Sequence, residues 1–220
     1  MKKILILNPN SSVAVTEQME RGCAGISLPS NHRLSFDTLV GAPAGIATQR
    51  DVEAVAIPTC DHFLAHPANA YVIGCFSDPG IILCREEISA PVVGIGEAAY
   101  REASQNGRFG VVSIGSRSIS RHARAIDALG LRYCFAGDRP LDLAVLELLD
   151  PEKAIARIIE VGRSLVELDG AQVLILGCAT MGVYRRRIES ALAVPVVDPV
   201  RAAVLRASTL LSVDYGGHCT

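Results

Sequence analysis

The stretch Ala70-Tyr-Val-Ile-Gly-Cys75 ends a short apolar run in a Gly-Cys pair, and Val173-Leu-Ile-Leu-Gly-Cys178 repeats the pattern about half a chain later. Each Gly-Cys pair is followed by an arginine-bearing helical stretch and then by a Pro-Val-Val run, which begins at Pro91 or at Pro195. The two Cys-to-Pro spacings are 16 and 17 residues. Such an internal repeat predicts two similar halves that each place one cysteine at the end of a strand.

Eight short apolar runs alternate with longer helical stretches along the chain. Apolar runs of this kind are typical of buried strands in parallel sheets covered by helices. We therefore predict an α/β protein with two pseudo-symmetric lobes, although eight strands also permit a single barrel. The first lobe is predicted to comprise residues 1–95 and 200–220, and the second residues 96–199. The runs are Lys3–Leu7, Arg33–Leu39, Ala70–Gly74, Pro91–Ile95, Phe109–Ile114, Leu131–Phe135, Gln172–Gly177 and Pro195–Val197.

Composition narrows the class of partner and the compartment. The 21 basic and 23 acidic residues are scattered, which argues against nucleic acid or an anionic membrane and favours a small-molecule partner. The apolar run Ile4–Leu7 is too short for a secretion signal, and none of the seven cysteines forms a CxxC pair. We therefore expect a cytoplasmic protein without a disulfide framework or a metal site. Whether copies form a homo-oligomer is left open by the sequence.

Cys75 and Cys178 are the candidate reactive groups. Each lies where a buried strand gives way to turn-prone residues, the edge of a parallel sheet at which ligands bind. A helix beginning close behind a cysteine lowers its pKa, so both thiols are expected to ionise readily. A lone cysteine is more often a small buried hydrophobe, and we interpret the others in that way. These are Cys23, Cys60, Cys84, Cys134 and Cys219.

Polar turns follow the first strand of each half. Asn8-Pro9-Asn10-Ser11-Ser12 offers amides and hydroxyls that could hold a carbonyl or carboxylate oxygen, or that could simply form a turn and cap a helix. Ser113–Ser118 is a weaker case of the same kind. The five histidines share no metal or triad spacing with the cysteines, and Gly94-Ile-Gly96-Glu lacks the third glycine of a dinucleotide loop.

Four segments together resemble the aspartate/glutamate/hydantoin racemase superfamily, and in particular its hydantoin and allantoin racemase branch. The likeness covers nearly the whole chain. Its carriers are Asn8-Pro-Asn-Ser11, Gly74-Cys-Phe-Ser-Asp-Pro-Gly80, Pro91-Val-Val-Gly-Ile-Gly-Glu-Ala-Ala99 and Leu176-Gly-Cys-Ala-Thr-Met181.

The resemblance implies two flavodoxin-like lobes with the active site between them, no cofactor and no metal. It implies that Cys75 and Cys178 are catalytic. Substrate-holding positions are implied at Asn10, Ser11, Phe76, Ser77, Ser113, Thr180 and Met181. One segment departs from the family, because Pro43-Ala-Gly-Ile-Ala47 lacks the serine and the glutamate of the usual Gly-Pro-x-Ser-Ile-Glu, which puts the substrate in question.

The expected reaction is racemisation at C5 of a 5-substituted hydantoin or of allantoin, with one thiolate removing a proton and one thiol returning it. Alternatives on the same frame are an arylmalonate-type decarboxylase and a maleate-type cis/trans isomerase. A different class is also open: a non-catalytic binding protein, or a redox sensor that joins the two cysteines in a disulfide.

Overall fold

The computed structural model describes residues 1–143 and 145–213. Cys219 and the end of the predicted first lobe, residues 214–220, lie outside the described residues. The strands are β1 (Lys2–Asn8), β2 (His32–Thr38), β3 (Ala70–Ile73), β4 (Val92–Gly94), β5 (Phe109–Ser113), β6 (Phe135–Pro140), β7 (Val173–Leu176) and β8 (Val196–Val197). The helices are α1 (Val13–Cys23), α2 (Gln49–Ala65), α3 (Ile81–Glu87), α4 (Ile95–Ser104), α5 (Ser116–Ala128), α6 (Pro151–Glu167), α7 (Arg185–Leu192) and α8 (Pro199–Ser212).

The strands form two four-stranded sheets with the same topology. Their orders are β2-β1-β3-β4 and β6-β5-β7-β8, and every pairing is parallel. Because β3 and β7 occupy equivalent places, the two Gly-Cys pairs emerge at equivalent points of the two sheets. This confirms the predicted α/β fold with two similar halves and excludes the single barrel.

The sixth strand is not where the sequence predicted it. Residues 131–135 were expected to form a strand, but Arg132–Cys134 is a turn of 3-10 helix and the strand runs from Phe135 to Pro140. Every residue of β6 is partly exposed because β6 is an edge strand, so its sequence carries no apolar run. Leu131 and Cys134 are apolar because they pack into the core before the strand begins.

The two sheets share one apolar core. In β1, Ile4 and Ile6 face this shared core, whereas Leu5 and Leu7 face a separate core beneath α2 and α3, as the two-residue period of a strand requires. The helices α4 and α8 lie within the shared core. Among the described residues, no helix combines the length and apolar character needed to cross a bilayer.

The chain passes between the two sheets twice. Helix α4 follows β4 of the first sheet but also contacts β7 and β8 of the second. Helix α8 follows β8 of the second sheet and packs on β1, β3 and β4 of the first, as well as on α4. These two helices therefore join the halves that carry Cys75 and Cys178.

Candidate active site

A single cavity contains both candidate cysteines. Its volume is about 610 Å³, within the range of small-molecule sites, and its wall includes Cys75 after β3 and Cys178 after β7. A thiolate at Cys178 raises the pKa of Cys75, as is expected of two ionisable groups that line one cavity. Both cysteines of the two-cysteine interpretation therefore line one space.

The glycine before each cysteine is required by close packing. A Cβ at Gly74 would lie 2.7 Å from the carbonyl oxygen of Leu7, and a Cβ at Gly177 would lie 2.7 Å from that of Val112. Both distances are below those that real side chains tolerate. The Gly-Cys pair thus lets β3 and β7 pass a neighbouring strand closely while the next residue turns into the cavity.

Burial dominates the ionisation of Cys75. Loss of solvent raises the pKa of this thiol to about 12, against smaller lowering effects of the Ser77 backbone N–H and of Arg121. The expectation that a helix N-terminus lowers this pKa is wrong. Helix α3 begins only at Ile81, six residues after Cys75, and the field of a helix terminus acts over about one turn.

Cys178 is the more deeply buried of the pair, with 6% of its surface exposed. Burial raises its pKa as well, while the Thr180 hydroxyl and the backbone N–H groups of Thr180 and Ala179 act in the lowering direction. Its sulfur lies 3.2 Å from Thr180 Oγ1. Backbone N–H groups beside both cysteines therefore favour the thiolate forms, against the larger effect of burial.

The turn after β1 brings Asn10 to the cavity wall and directs Ser11 elsewhere. Asn10 Oδ1 accepts from Asn8 Nδ2 and from the backbone N–H of Ser12, at 2.9 Å each. The Asn10 amide nitrogen has no acceptor within the described chain, so it can donate to a ligand. The Ser11 backbone N–H donates to the Pro43 carbonyl at 3.0 Å and thereby fixes the loop that carries the departure from the family pattern.

The remaining predicted binding residues divide into two groups. Phe76 and Ser77 line the cavity. Ser113, Thr180 and Met181 lie behind the wall, each with none of its surface exposed. The Ser113 hydroxyl donates to Asp138, and Thr180 contacts the Cys178 sulfur, so these two can act on a ligand only through a neighbour.

Sequence reasoning missed two residues of the wall, whereas it had noted both of the segments that also line it. Arg121 and His122 on α5 line the cavity, and so do the backbone-rich segments 44–47 and 114–118. Arg121 Nε donates to Ser77 Oγ at 3.3 Å, which places a cation beside Cys75. A smaller cavity of about 350 Å³ adjoins the first and shares Phe76, Ser77, Arg121 and His122 with it. An arginine and a lone histidine on a helix give no signal in sequence, since both are usually surface residues.

Two carboxylates hold the helices that cross between the sheets. Asp78, in the turn after Cys75, accepts from the backbone N–H groups of Gly96 and Glu97 at the start of α4. Asp198 is itself the N-cap of α8 and accepts from Val200 and Arg201. Burial raises the pKa of Asp78 to about 7 and that of Asp198 to about 6.

Within residues 1–143 and 145–213, the other cysteines and histidines lie away from this cavity. Cys23, Cys60, Cys84 and Cys134 are buried, as their interpretation as core residues requires. His62 Nε2 lies 2.9 Å from Asp37 Oδ2, and the stacked ring of His66 completes a group of three metal-ligand atoms within 4.8 Å of one another. The i, i+4 spacing of the two histidines was the signal for this group, but none of its members lines the cavity.

Comparison with known proteins places the chain among racemases. Residues 4–207 match the sequence profile of the Asp/Glu/Hydantoin racemase family. A hydantoin racemase of Rhizobium meliloti is 34% identical over 96% of this chain and 90% of its own length. One from Pseudomonas sp. (strain NS671) is 32% identical over 97% and 87%. Allantoin racemase from Klebsiella pneumoniae has a similar structure, with a TM-score of 0.91, 27% identity, and coverage of 96% of this chain and 88% of that one.

Proposed function

Because the chain belongs to the Asp/Glu/hydantoin racemase family, whose named relatives are isomerases, we propose that it racemises a 5-substituted hydantoin or allantoin by proton transfer between Cys75 and Cys178. The observation that carries the proposal is that Cys75 and Cys178 line the same cavity. Racemisation removes a proton from one face of a carbon and returns one to the other face. Two acid–base groups on opposite sides of a ligand meet that requirement.

The substrate supplies an acidic C–H bond. C5 of a hydantoin lies between a carbonyl carbon and a ring nitrogen, so the electron pair of the broken C5–H bond moves into the ring as an enolate. One cysteine, as thiolate, takes the proton and becomes a thiol, while the other thiol gives its proton to the opposite face and becomes a thiolate. The pair thus ends each turnover with its protonation states exchanged, ready for the other enantiomer.

Raised thiol pKa values set a condition on this reaction. At neutral pH only a small fraction of Cys75 is thiolate, but a thiolate with a high pKa is a strong base once it forms. The Arg121 guanidinium beside Cys75 favours that thiolate. We therefore expect kcat/KM to rise with pH from neutral into the alkaline range, a dependence that initial rates across a buffer series would measure.

The enolate oxygen needs donors that do not already serve the sulfurs. The Asn10 amide nitrogen is one. The first backbone N–H groups of α5 are others, because Gly115, Ser116 and Arg117 line the cavity and the first turn of a helix leaves its donors unpaired. One well-placed donor to a developing oxyanion typically contributes about 3 kcal/mol.

The decisive experiment follows the optical purity of the substrate. A single enantiomer of 5-benzylhydantoin, and separately of allantoin, is incubated with the protein without added cofactor, and the products are resolved by chiral chromatography. Loss of optical purity with deuterium incorporation at C5 in D₂O is expected. A wild-type protein that changes the optical purity of neither substrate would overturn the proposal.

The same preparation distinguishes the alternatives. A decarboxylase would release CO₂ from an arylmalonate, and a cis/trans isomerase would convert maleate to fumarate. A binding protein would show a higher melting temperature with hydantoin but no turnover. A redox sensor would form a reversible Cys75–Cys178 disulfide, which peptide mapping under oxidising conditions would detect.

A further inference from the structure

His122 is held by a buried polar chain behind the cavity wall. Its Nδ1 lies 2.7 Å from Asp138 Oδ2, and the other oxygen of that carboxylate accepts from the Ser113 hydroxyl. The side chains of His122 and Asp138 are 3% and 1% exposed. The ring also packs edge-to-face against Phe76, with centroids 5.0 Å apart. Packing and hydrogen bonding together fix the orientation of this imidazole.

The hydrogen bonds also fix which nitrogen carries the proton in the neutral ring. An ionised carboxylate only accepts, so Asp138 requires a proton on Nδ1 of His122. The opposite nitrogen, Nε2, then has a lone pair, and no donor within the described residues uses it. Because His122 belongs to the cavity wall, that lone pair is an acceptor available to a ligand.

We propose that His122, oriented by Asp138 and Ser113, accepts a hydrogen bond from a ring N–H of the substrate and so selects cyclic ureides. This inference rests on the proposed function and narrows its substrate class. A hydantoin ring offers N–H groups at N1 and N3, whereas a malonate or a maleate offers none. A site with an oriented acceptor discriminates strongly against a ligand that leaves the acceptor unpaired.

The test compares three substrates on wild-type protein and on His122→Ala. The substrates are 5-benzylhydantoin, its N3-methyl derivative and 5-benzyloxazolidine-2,4-dione, in which oxygen replaces N1–H without a change of ring shape. Dividing the wild-type kcat/KM by that of the variant for each substrate cancels the difference in C5–H acidity between the rings. This ratio isolates the contribution of each N–H group to the contact with His122.

His122→Ala is expected to lower kcat/KM for 5-benzylhydantoin about tenfold, the size of one hydrogen bond. The loss should shrink to less than about threefold for whichever analogue lacks the N–H that His122 contacts. Equal losses on all three substrates would overturn the acceptor role, since they would show that His122 supports the wall without reading an N–H group.

Asp138→Asn tests the same inference without removing the imidazole. An asparagine of the same shape can accept from Ser113 through its oxygen and donate to His122 Nδ1 through its nitrogen, which moves the ring proton to Nε2. The acceptor becomes a donor, so 5-benzylhydantoin should lose about as much kcat/KM as it does in His122→Ala. Full activity in Asp138→Asn would overturn the proposal.

The chain offers a matched control in its second histidine–aspartate pair. His62 pairs with Asp37 at 2.9 Å but lies outside the cavity wall, so His62→Ala should leave kcat/KM unchanged. Melting temperatures of all variants establish that they are folded. If wild-type protein racemises no hydantoin, the proposed function itself fails; if it does and the His122 and Asp138 variants are unaffected, only this inference fails.

Discussion

Cys75 and Cys178 leave equivalent strands of two equivalent sheets, yet different groups surround them. Cys75 is partly exposed, is followed by a five-residue turn before α3, and has the cation Arg121 nearby. Cys178 is buried and runs directly into a turn of 3-10 helix whose Thr180 hydroxyl contacts its sulfur. The repeat thus conserves the position of the sulfur, while each half has its own means of favouring a thiolate against the effect of burial.

The largest expected effect comes from removing either sulfur. Cys75→Ser and Cys178→Ser should each lower racemisation of a hydantoin at least about 1000-fold, because a two-sided proton exchange needs both groups. Chiral chromatography of single-enantiomer substrate measures the loss. Melting temperatures close to that of wild type would exclude unfolding as its cause, and a variant that retained most of its activity would contradict an equal need for both halves.

The two helix-capping carboxylates predict a pH-dependent stability. The folded-state pKa of Asp198, about 6, lies above its ordinary value of 3.8, so protonated Asp198 stabilises the fold below about pH 4. This contribution is lost as the pH rises through about 6, and it amounts to about 3 kcal/mol at most. Denaturant unfolding between pH 4 and 7 should show it, and Asp198→Asn should reduce the fall in stability to the part that comes from Asp78, whose pKa is raised in the same direction to about 7. A wild-type stability that rises steadily across that range would contradict the assignment.

Two substitutions should separate the surroundings of the two cysteines. Arg121→Gln removes the cation beside Cys75 and is expected to lower kcat/KM about tenfold, whereas Thr180→Val removes a single neutral hydrogen bond to Cys178 and should cost about threefold. Alkylation by iodoacetamide, followed residue by residue with mass spectrometry, should slow at Cys75 in the first variant and at Cys178 in the second. Equal slowing at both cysteines in either variant would show that the two surroundings are not independent.

The smallest expected effect concerns the position of the capping carboxylate, which differs between the two halves. A Cβ at Gly94 would lie 2.2 Å from Asp78 Cγ, and a Cβ at Gly182 would lie 2.2 Å from Asp198 Oδ2. In the first half, Asp78 in the turn after the cysteine caps α4, and the N-cap residue itself is Gly94. In the second half, the N-cap residue Asp198 caps α8, and Gly182 follows the cysteine. Asp78 also has a positive φ of 45°, which glycine adopts without strain.

Asp78→Gly should lower the free energy of unfolding by about 1 kcal/mol through loss of the cap, and Gly94→Asp should lower it through the clash with Asp78. The double variant Asp78→Gly/Gly94→Asp reproduces the arrangement of the second half and should recover most of the loss. Chemical denaturation of all four proteins gives the coupling energy. Additive losses would show that the two capping arrangements are not interchangeable.

Sequence predicted the features that a local pattern encodes. The strand ends at Cys75 and Cys178 follow from apolar runs that stop at a Gly-Cys pair, and the equivalence of the halves follows from the repeat. Sequence patterns failed where contacts with residues distant in sequence decide the structure or the pKa. The partly exposed edge strand β6 has no apolar run, and the direction of the thiol pKa shifts depends on burial that no short motif reveals.

The same limit applies to the cavity wall. Arg121 and His122 lie on α5, more than 40 residues from either cysteine in sequence, and reach the wall only because the two sheets face one cavity. Asp138 comes from the edge strand β6 and gains its role from contact with His122 and Ser113. Long-range contacts of this kind leave no periodicity in the sequence.

The chain passes between the sheets twice, and this affects the spacing of the cavity walls around a ligand. Cutting the chain after Gly94 would divide it into two pieces. The first piece would lack α8, which packs on its sheet, and the second would begin with α4, which packs against both sheets. Each piece would expose apolar surface that is buried in the intact protein. The width of the gap in which a carbon atom must fit is consequently set by the interior of the whole molecule, and substitutions deep in that interior, far from either thiol, can change the rate of proton transfer.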